Sequence, residues 1–149
     1  MREILFRGRL TDKSRWVYGC LINNIYGAVP AIMTEQSVDD AFNLDFEYDH
    51  VEEKTVGQFT GLTDKNGKKI FEGDILEYTS YTGTGIKEVK RAVVFWDEHR
   101  WSYKVIYNNR WTAQWNNNGY TCDIYKEVVA KYGEVIGNIH DNPELLENP

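Results

Sequence analysis

The sequence predicts a mainly β protein, and three observations support that prediction. Aromatic residues make up 14% of the chain, namely five Trp, ten Tyr and six Phe, and large, flat side chains favour strands over helices. Short segments in which apolar and polar residues alternate recur along the chain, as expected of half-buried strands. Turn-forming Asn, Gly and Asp separate these segments. The 149 residues suffice for one compact domain, or for two small lobes that share a core.

The first fifty residues contain three predicted strands and one predicted helix. Alternation predicts the strands, with a polar turn after the first of them. They span residues 3–10, 16–22 and 28–33. Further on, Ser37 is placed to cap a short helix that would carry Val38, Ala41 and Phe42 on one face. We therefore expect a helical turn within residues 34–50.

The middle of the chain is predicted to form hairpins and a meander. Asn66-Gly67, which follows a predicted strand at residues 55–59, is a strong hairpin signal because both residues tolerate a positive φ. The Gly73-Asp74 step is typical of a tight turn that opens a strand. Four strands are predicted after it, at residues 75–78, 89–96, 101–107 and 110–115. The last three make a meander because their links are too short for crossovers, and the almost continuously apolar residues 89–96 indicate burial on both faces.

One helix is predicted near the C-terminus, over residues 123–132. Tyr125, Val128, Val129 and Tyr132 recur at the spacing that places them on one helical face. Thr121 or Asp123 can cap its start, and Gly133 stands where a left-handed residue would end it. A strand at residues 134–139 follows, and Asn142-Pro143 begins a short terminal turn.

The charge balance weighs against nucleic-acid binding. The chain carries 17 basic and 23 acidic residues, a net charge of −6, whereas nucleic-acid binders present basic surfaces to phosphates. Two local basic clusters are interpreted as solvated hairpin and edge charge. They are Lys65, Lys68 and Lys69 in one turn, and Lys87, Lys90 and Arg91 in one strand.

The expected location is the cytoplasm. No apolar run reaches the roughly 18 residues of a membrane span, and the N-terminus lacks the apolar core of a signal peptide. Cys20 and Cys122 stand far apart, with no Cys-x-x-Cys motif. We expect two buried thiols, and a disulfide between them stays open as the alternative.

No motif for catalysis, a cofactor or a metal is found. Gly83-Thr84-Gly85 lacks the further Gly, the Lys-Ser/Thr pair and the helix of phosphate-binding loops. His50, His99 and His140 are scattered, and Asp97-Glu98-His99 is interpreted as a charged turn between two strands. No Gly-x-Ser-x-Gly elbow occurs. We therefore predict no catalytic, cofactor-binding or metal-binding residues, and a protein that is not an enzyme.

Trp and Tyr residues in the second half of the chain are the candidate binding residues. A sheet has one inner face, so some rings of a meander must face solvent or another molecule, and such rings often anchor interfaces. The residues selected are Trp101, Trp111, Trp115 and Tyr120. We predict that they contact a protein partner or a second copy of the chain. Nucleic-acid binding is the alternative, and an enzyme assembled from distant residues is the second alternative.

Three segments together resemble the YopX family of phage and prophage proteins. They are residues 1–7 (MREILFR), residues 57–75 (GQFTGLTDKNGKKIFEGDI) and residues 134–146 (EVIGNIHDNPELL). Their order and spacing also match, so the resemblance runs nearly from end to end. The matched residues themselves indicate turns and strand starts rather than chemistry.

The resemblance implies an architecture rather than an activity. It implies an SH3-type barrel in the C-terminal part, residues 61–149, and a smaller β-rich lobe at residues 1–60, which we expect to form one compact unit. It also implies a phage or prophage origin and a bacterial or phage cytoplasm. No catalytic residue is carried over, and the aromatic residues above would lie on the barrel surface.

Overall fold

A computed structural model gives the fold as two compact units, Met1–Phe59 and Thr60–Pro149. It describes residues 3–23, 27, 29–38, 44–81, 84–85, 87–97, 100–107, 110–112, 122–123 and 132–147. Between residues 97 and 123 the description covers the backbone alone. The chain is mainly β, with strands in two antiparallel sheets, and this confirms the predicted fold class at that level.

The first unit is built on an antiparallel sheet. Its strands are β1 Phe6–Arg9, β2 Trp16–Ile22, β3 Ala31–Val38, β4 Leu44–His50 and the start of β5 Gly57–Thr63, and a 3₁₀ turn spans Glu53–Thr55. In space the strands follow the order β4-β3-β2-β1-β5. Consecutive strands therefore pair from β1 to β4, whereas β5 follows β4 in the chain but pairs with β1.

The core of this unit lies on one face of the sheet. Val17, Ile32 and Val51 are buried there, because alternate residues of a strand point to the same side. Four partly buried apolar residues pack against them, namely Phe6, Leu10, Leu21 and Val56. Gly8 belongs to the same face, and a Cβ on it would come within 2.8 Å of the Val51 side chain. The core thus needs a residue without a side chain at position 8.

The helix predicted from Ser37 is wrong. Ser37 and Val38 lie in β3 and pair with Asp45 and Leu44 of β4. The ladder of backbone hydrogen bonds in this hairpin outweighs the weak local capping preference of one Ser. Ala41 and Phe42 lie outside the described residues.

The second unit contains the other antiparallel sheet. Its strands are β6 Lys69–Phe71, β7 Asp74–Tyr81, β8 Lys87–Asp97, β9 Arg100–Tyr107, β10 Arg110–Thr112, β11 Cys122–Asp123 and β12 Glu134–Asn138, and a 3₁₀ turn spans Pro143–Leu146. The order is β10-β9-β8-β7-β12, and β11 pairs with β9. The predicted meander is confirmed. β6 pairs with β5, which completes the hairpin predicted at Asn66-Gly67.

Strand β8 is buried on both faces along its middle, as its apolar sequence predicts. Ala92 and Val94 face one cluster, where Leu76 and Ile70 are also fully buried. Val93 faces the other side and packs on Ile75. The ends of the strand differ, because Val89 and Trp96 are 52% and 47% exposed.

A buried carboxylate joins the hairpin turn to the last strand of this unit. Asp64, which is 5% exposed, accepts backbone hydrogen bonds from Asn66 and Lys68 at 2.8 and 2.9 Å. Its second oxygen accepts from Val135 at 3.0 Å. Gly67 completes the turn with a φ of 82°.

The other matched motifs of the second unit also form turns. Gly73 has a φ of 82°, and Asp74 beside it accepts from the Phe71 N–H at 2.8 Å. Near the C-terminus, Asn138 accepts from the N–H groups of His140 and Asp141. The predicted terminal turn begins at Pro143, as expected.

The predicted C-terminal helix is tested only at its ends. Residues 124–131 lie outside the described residues. Asp123, one of the two expected caps, lies in β11 opposite Ser102. An N-cap residue normally has extended backbone of this kind, so the helix and its cap stay a prediction.

Candidate partner-binding surface

The four aromatic residues selected from the sequence do not define a surface in the described part of the chain. Trp101 lies in β9 opposite Trp96, and Trp111 lies in β10 opposite Ile106. The side chains of Trp101 and Trp111, and Trp115 and Tyr120 as a whole, lie outside the described residues. Their role in partner binding stays a prediction.

Exposed aromatic side chains are instead found on the first unit, on the face of its sheet opposite the core. We call this surface the aromatic face, and it consists of Tyr18, Cys20, Met33, Phe46, Tyr48 and His50. Tyr18, Phe46 and Tyr48 are 49%, 45% and 52% exposed. A contiguous apolar surface of this kind is typical of a docking site on a folded protein.

The register of three strands brings these residues together. Cys20 of β2 lies opposite Met33 of β3, which lies opposite Tyr48 of β4. Directly opposed residues point to the same side of a sheet, as do residues two apart on one strand. Tyr18 therefore shares the face with Cys20, and Phe46 shares it with Tyr48.

A row of three rings runs along β4. The ring centroids of Phe46 and Tyr48 are 6.2 Å apart, and those of Tyr48 and His50 are 5.7 Å apart at an interplanar angle of 85°. These separations fall in the range in which aromatic pairs attract each other. The row is thus ordered before any partner binds.

A bulge and a glycine shape the sheet beneath this face. The register of β3 against β4 shifts between Met33 and Glu35, and a bulge of this kind increases the local twist. Gly19 of β2 lies against the bulge, where a Cβ would overlap the carbonyl of Met33. Only glycine lets the two strands approach at this point.

Arg7 and Trp16 lie on the same face at its β1 side. The Arg7 guanidinium carbon lies 4.8 Å from the centroid of the Trp16 ring, a cation–π contact. Arg7 is only 6% exposed. The contact therefore packs Arg7 against the sheet, whereas the neighbouring Tyr18 side chain remains exposed.

The opposite side of β4 is acidic. Asp45, Glu47 and Asp49 alternate with the three rings and so point to the other side of the strand. The Asp49 carboxylate lies 3.4 Å from an Arg15 nitrogen in an exposed ion pair. An open depression of about 490 Å³ lies here, and it is lined by Arg15, Thr34 and residues 46–49 of β4.

Among the strands that the structure describes, β4 is the last one of its sheet, and its outward backbone groups belong to the aromatic residues. Successive residues of an antiparallel strand direct their N–H and C=O groups alternately to the two sides. The His50 carbonyl accepts from the Thr11 N–H at 3.3 Å rather than from β3. Tyr48 and Phe46 lie two and four residues before His50, so their N–H and C=O groups also point away from β3. The Phe46 N–H accordingly bonds to its neighbour Asp45, whose Oδ1 lies 2.9 Å away.

The predicted burial of Cys20 is wrong. Its thiol is exposed and free, because Cys20 shares the outer face of β2 with Tyr18 rather than the core side with Val17. The Cys122 side chain lies outside the described residues.

Other chemistry is limited in the described residues. Within that part of the chain, His, Cys, Asp and Glu form no group of three that could hold a metal ion. The same residues contain no helix that is both long enough and apolar enough to cross a bilayer. His50 lies in the aromatic row and His140 lies in a C-terminal turn.

The sequence contains a signal for this surface within residues 34–50, where a helix was predicted instead. Phe46, Tyr48 and His50 alternate with three acidic residues, which is the period of a strand with one aromatic and one charged side. Considered without that period, Ser37 and the apolar residues after it favoured a helix.

The fold and this surface define a class of protein: a mainly β chain of two antiparallel units that offers an open, aromatic sheet edge. A family model described as "YopX protein" matches residues 5–147, so the chain belongs to the YopX family. It is similar to a solved structure, "Crystal structure of protein EF1440 from Enterococcus faecalis", with 26% identity and a TM-score of 0.61. That match covers 99% of this chain and 100% of the other. No curated protein matches the chain.

Proposed function

We propose that this protein is a non-enzymatic binding module whose first unit docks a protein partner on the aromatic face. The observation that carries the proposal is the exposure of Tyr18, Phe46 and Tyr48, at 45% to 52%, on one sheet face. Large rings left in water on an ordered sheet are a source of binding free energy, since their burial is favourable.

The arrangement suits anchoring because the rings are fixed in advance. Phe46 and Tyr48 are held by their strand and by each other, so a partner would immobilise few rotatable bonds on binding. Tyr residues in such positions typically become the residues whose truncation costs about 2 kcal/mol or more. The sheet beneath them supplies a rigid base.

Nucleic acid is disfavoured as the occupant of this surface. Asp45, Glu47 and Asp49 lie on the strand that carries the rings, and phosphates would be repelled by them. The net charge of −6 adds to that repulsion at low salt.

The family resemblance adds further parts to the proposal. An SH3-type barrel in the second unit would use β7, β8, β9 and β12 as members, and Trp101, Trp111, Trp115 and Tyr120 would form a second aromatic surface on it. A phage or prophage origin and a cytoplasmic setting follow from the same resemblance.

Affinity capture from a bacterial lysate with quantitative mass spectrometry tests the docking face. The baits are the wild type, a Phe46→Ala/Tyr48→Ala variant, and a Tyr132→Ala control that removes an exposed ring, 55% accessible, from the second unit. Each captured candidate is then purified and titrated against all three proteins by calorimetry.

We expect a partner whose affinity falls at least about tenfold with the double variant and is unchanged with the Tyr132→Ala control. Far-UV circular dichroism and the melting temperature show whether the variants are folded. Partners that bind the folded double variant as tightly as the wild type would contradict the proposal.

A further inference from the structure

We propose that the partner presents an extended, basic segment, and that this segment joins the first sheet as an added strand along the outer edge of β4. The inference rests on the proposed function and specifies the chemistry of its partner. Three features of β4 carry it: an open backbone edge, a ring row on one side, and acidic residues on the other.

The open edge is long enough to receive a strand. Phe46 and Tyr48 direct their N–H and C=O groups outward, and at His50 the Thr11 N–H occupies the edge instead. In the part of the chain that the structure describes, no strand other than β3 pairs with β4, so the available stretch runs from Leu44 to Tyr48. At about 3.4 Å per residue this matches a short strand of the usual length, and extended peptides commonly bind by adding to such edges.

The two sides of β4 dictate an alternating partner. A strand laid against this edge would place every second side chain beside Phe46 and Tyr48, and the others beside Asp45 and Glu47. Apolar residues suit the first side and Lys or Arg the second. Arg15 already neutralises Asp49 in part, so Asp45 and Glu47 supply most of the attraction for the incoming cations.

A second copy of the chain is a poor occupant of the same edge. In an antiparallel pair of β4 strands centred on Glu47, Glu47 would face Glu47, and Asp45 would face Asp49. Like charges directly opposed across strands are destabilising. Charged edge residues of this kind are a common protection against self-association, and they select a basic partner instead.

The free protein covers its edge in a way that a partner can reverse. The Asp45 carboxylate bonds the outward Phe46 N–H at 2.9 Å while remaining exposed. An incoming carbonyl can replace that oxygen, and the released carboxylate can then pair with a Lys of the partner. The edge thus stays solvated in the free protein and open to exchange.

Labelled synthetic peptides test this inference by fluorescence anisotropy with the full chain. The first peptide has about nine residues and alternates Lys with Val and Thr. The second replaces every Lys with Glu, and the third carries the first composition in a scrambled order. We expect at least about tenfold weaker binding of the second and third peptides, and weaker binding of the first as salt rises from about 50 to about 300 mM.

Backbone methylation of the peptide then separates strand addition from simple charge attraction. One derivative carries N-methyl groups at the apolar residues and the other at the Lys residues, so each removes the donors of one edge only. If the added strand is antiparallel, the apolar residues donate to β4, and only the first derivative should bind more weakly. If it is parallel, the Lys residues donate, and only the second derivative should bind more weakly. Equal affinities of the two derivatives would overturn the inference.

Protein variants complete the test. Glu47→Lys should weaken the Lys peptide at least about tenfold and improve the Glu peptide, whereas Glu147→Lys makes the same charge change in the second unit and should do neither. Phe46→Pro removes an outward donor and should weaken binding beyond Phe46→Ala.

The outcomes distinguish this inference from the proposed function. If lysate capture depends on Phe46 and Tyr48 while no peptide binds, the docking face stands and the added strand is wrong. If light scattering shows a dimer that Phe46→Pro dissociates, the occupant is a second copy and the inference is also wrong.

Discussion

The Asp64 carboxylate and the Val135 N–H, 71 positions apart in the chain, form a buried hydrogen bond of 3.0 Å. Asp64 also accepts from the N–H groups of Asn66 and Lys68. One side chain therefore holds the hairpin turn and connects it to β12. This gives the matched Asp64-Lys65-Asn66-Gly67 motif a role in folding.

Replacing Asp64 should destabilise the second unit. Asp64→Asn puts an amide N–H₂ against at least one of the three backbone donors and leaves a buried group without an acceptor, at a cost of about 1–3 kcal/mol. Denaturant unfolding measures the change. Asp12→Asn is the matched control, because Asp12 accepts from the Ser14 N–H at 2.8 Å in an exposed turn, and it should cost less. Equal effects of the two substitutions would contradict the role given to Asp64.

The contribution of Asp64 should also depend on pH. Burial raises the pKa of its carboxyl, but the three backbone hydrogen bonds, together with nearby Lys68, outweigh burial and hold the pKa below its ordinary value of 3.8. A carboxyl whose pKa is lowered by folding stabilises the protein fully above its unfolded pKa. That stability is lost as pH falls through the folded pKa. The melting temperatures of wild type and Asp64→Asn should therefore differ by a constant amount above about pH 3.8 and converge as the pH falls below it. A difference that persists at low pH would show another cause.

The close approach of Gly8 to Val51 predicts a compensating pair. Gly8→Ala would force a methyl group within 2.8 Å of Val51 and should cost about 1–3 kcal/mol by overpacking. Val51→Ala alone leaves a cavity in the core and costs a similar amount or more. The double variant should lose less than the sum of the two, as urea unfolding of all four proteins would show. Strict additivity would mean that the two residues are not in contact.

The aromatic face can be blocked chemically at Cys20. Its thiol is exposed and free, so a thiol reagent such as a bulky maleimide should modify the native protein at that position, which peptide mass mapping detects. The attached group would cover the surface beside Met33 and Tyr48, and the affinity for a captured partner should fall. Cys20→Ser should bind that partner normally and keep its affinity after the same treatment. Unchanged affinity of the fully labelled wild type would contradict the location of the face.

Much of the strand pattern follows from the sequence, for reasons visible in particular elements. β2 was predicted with its observed bounds, Trp16–Ile22, because its alternation is flanked by clear turn residues. The burial of Ala92, Val93 and Val94 followed from an apolar run that leaves no polar side. The turn at Asn66-Gly67 followed from the need for a positive φ.

The surface could not be predicted in the same way, because it depends on register and strand order. The sequence does not reveal that β4 is an edge, nor that Met33 joins Cys20 to Tyr48 across the sheet. The number of aromatic residues likewise does not reveal which face of a strand is buried. In β2 the face that carries Val17 is the core side, and the face that carries Tyr18 is exposed. The helix proposed at Ser37 failed for a related reason, since long-range pairing with Asp45 overrode a local preference.

Amide hydrogen exchange of Phe46 and Tyr48, followed residue by residue with and without the bound partner or Lys peptide, tests the central claim most directly. Strand addition predicts that both amides slow at least about tenfold on binding, because their outward N–H groups become hydrogen-bonded. Exchange at these two amides that stays unchanged in a saturated complex, with protection elsewhere, would contradict it.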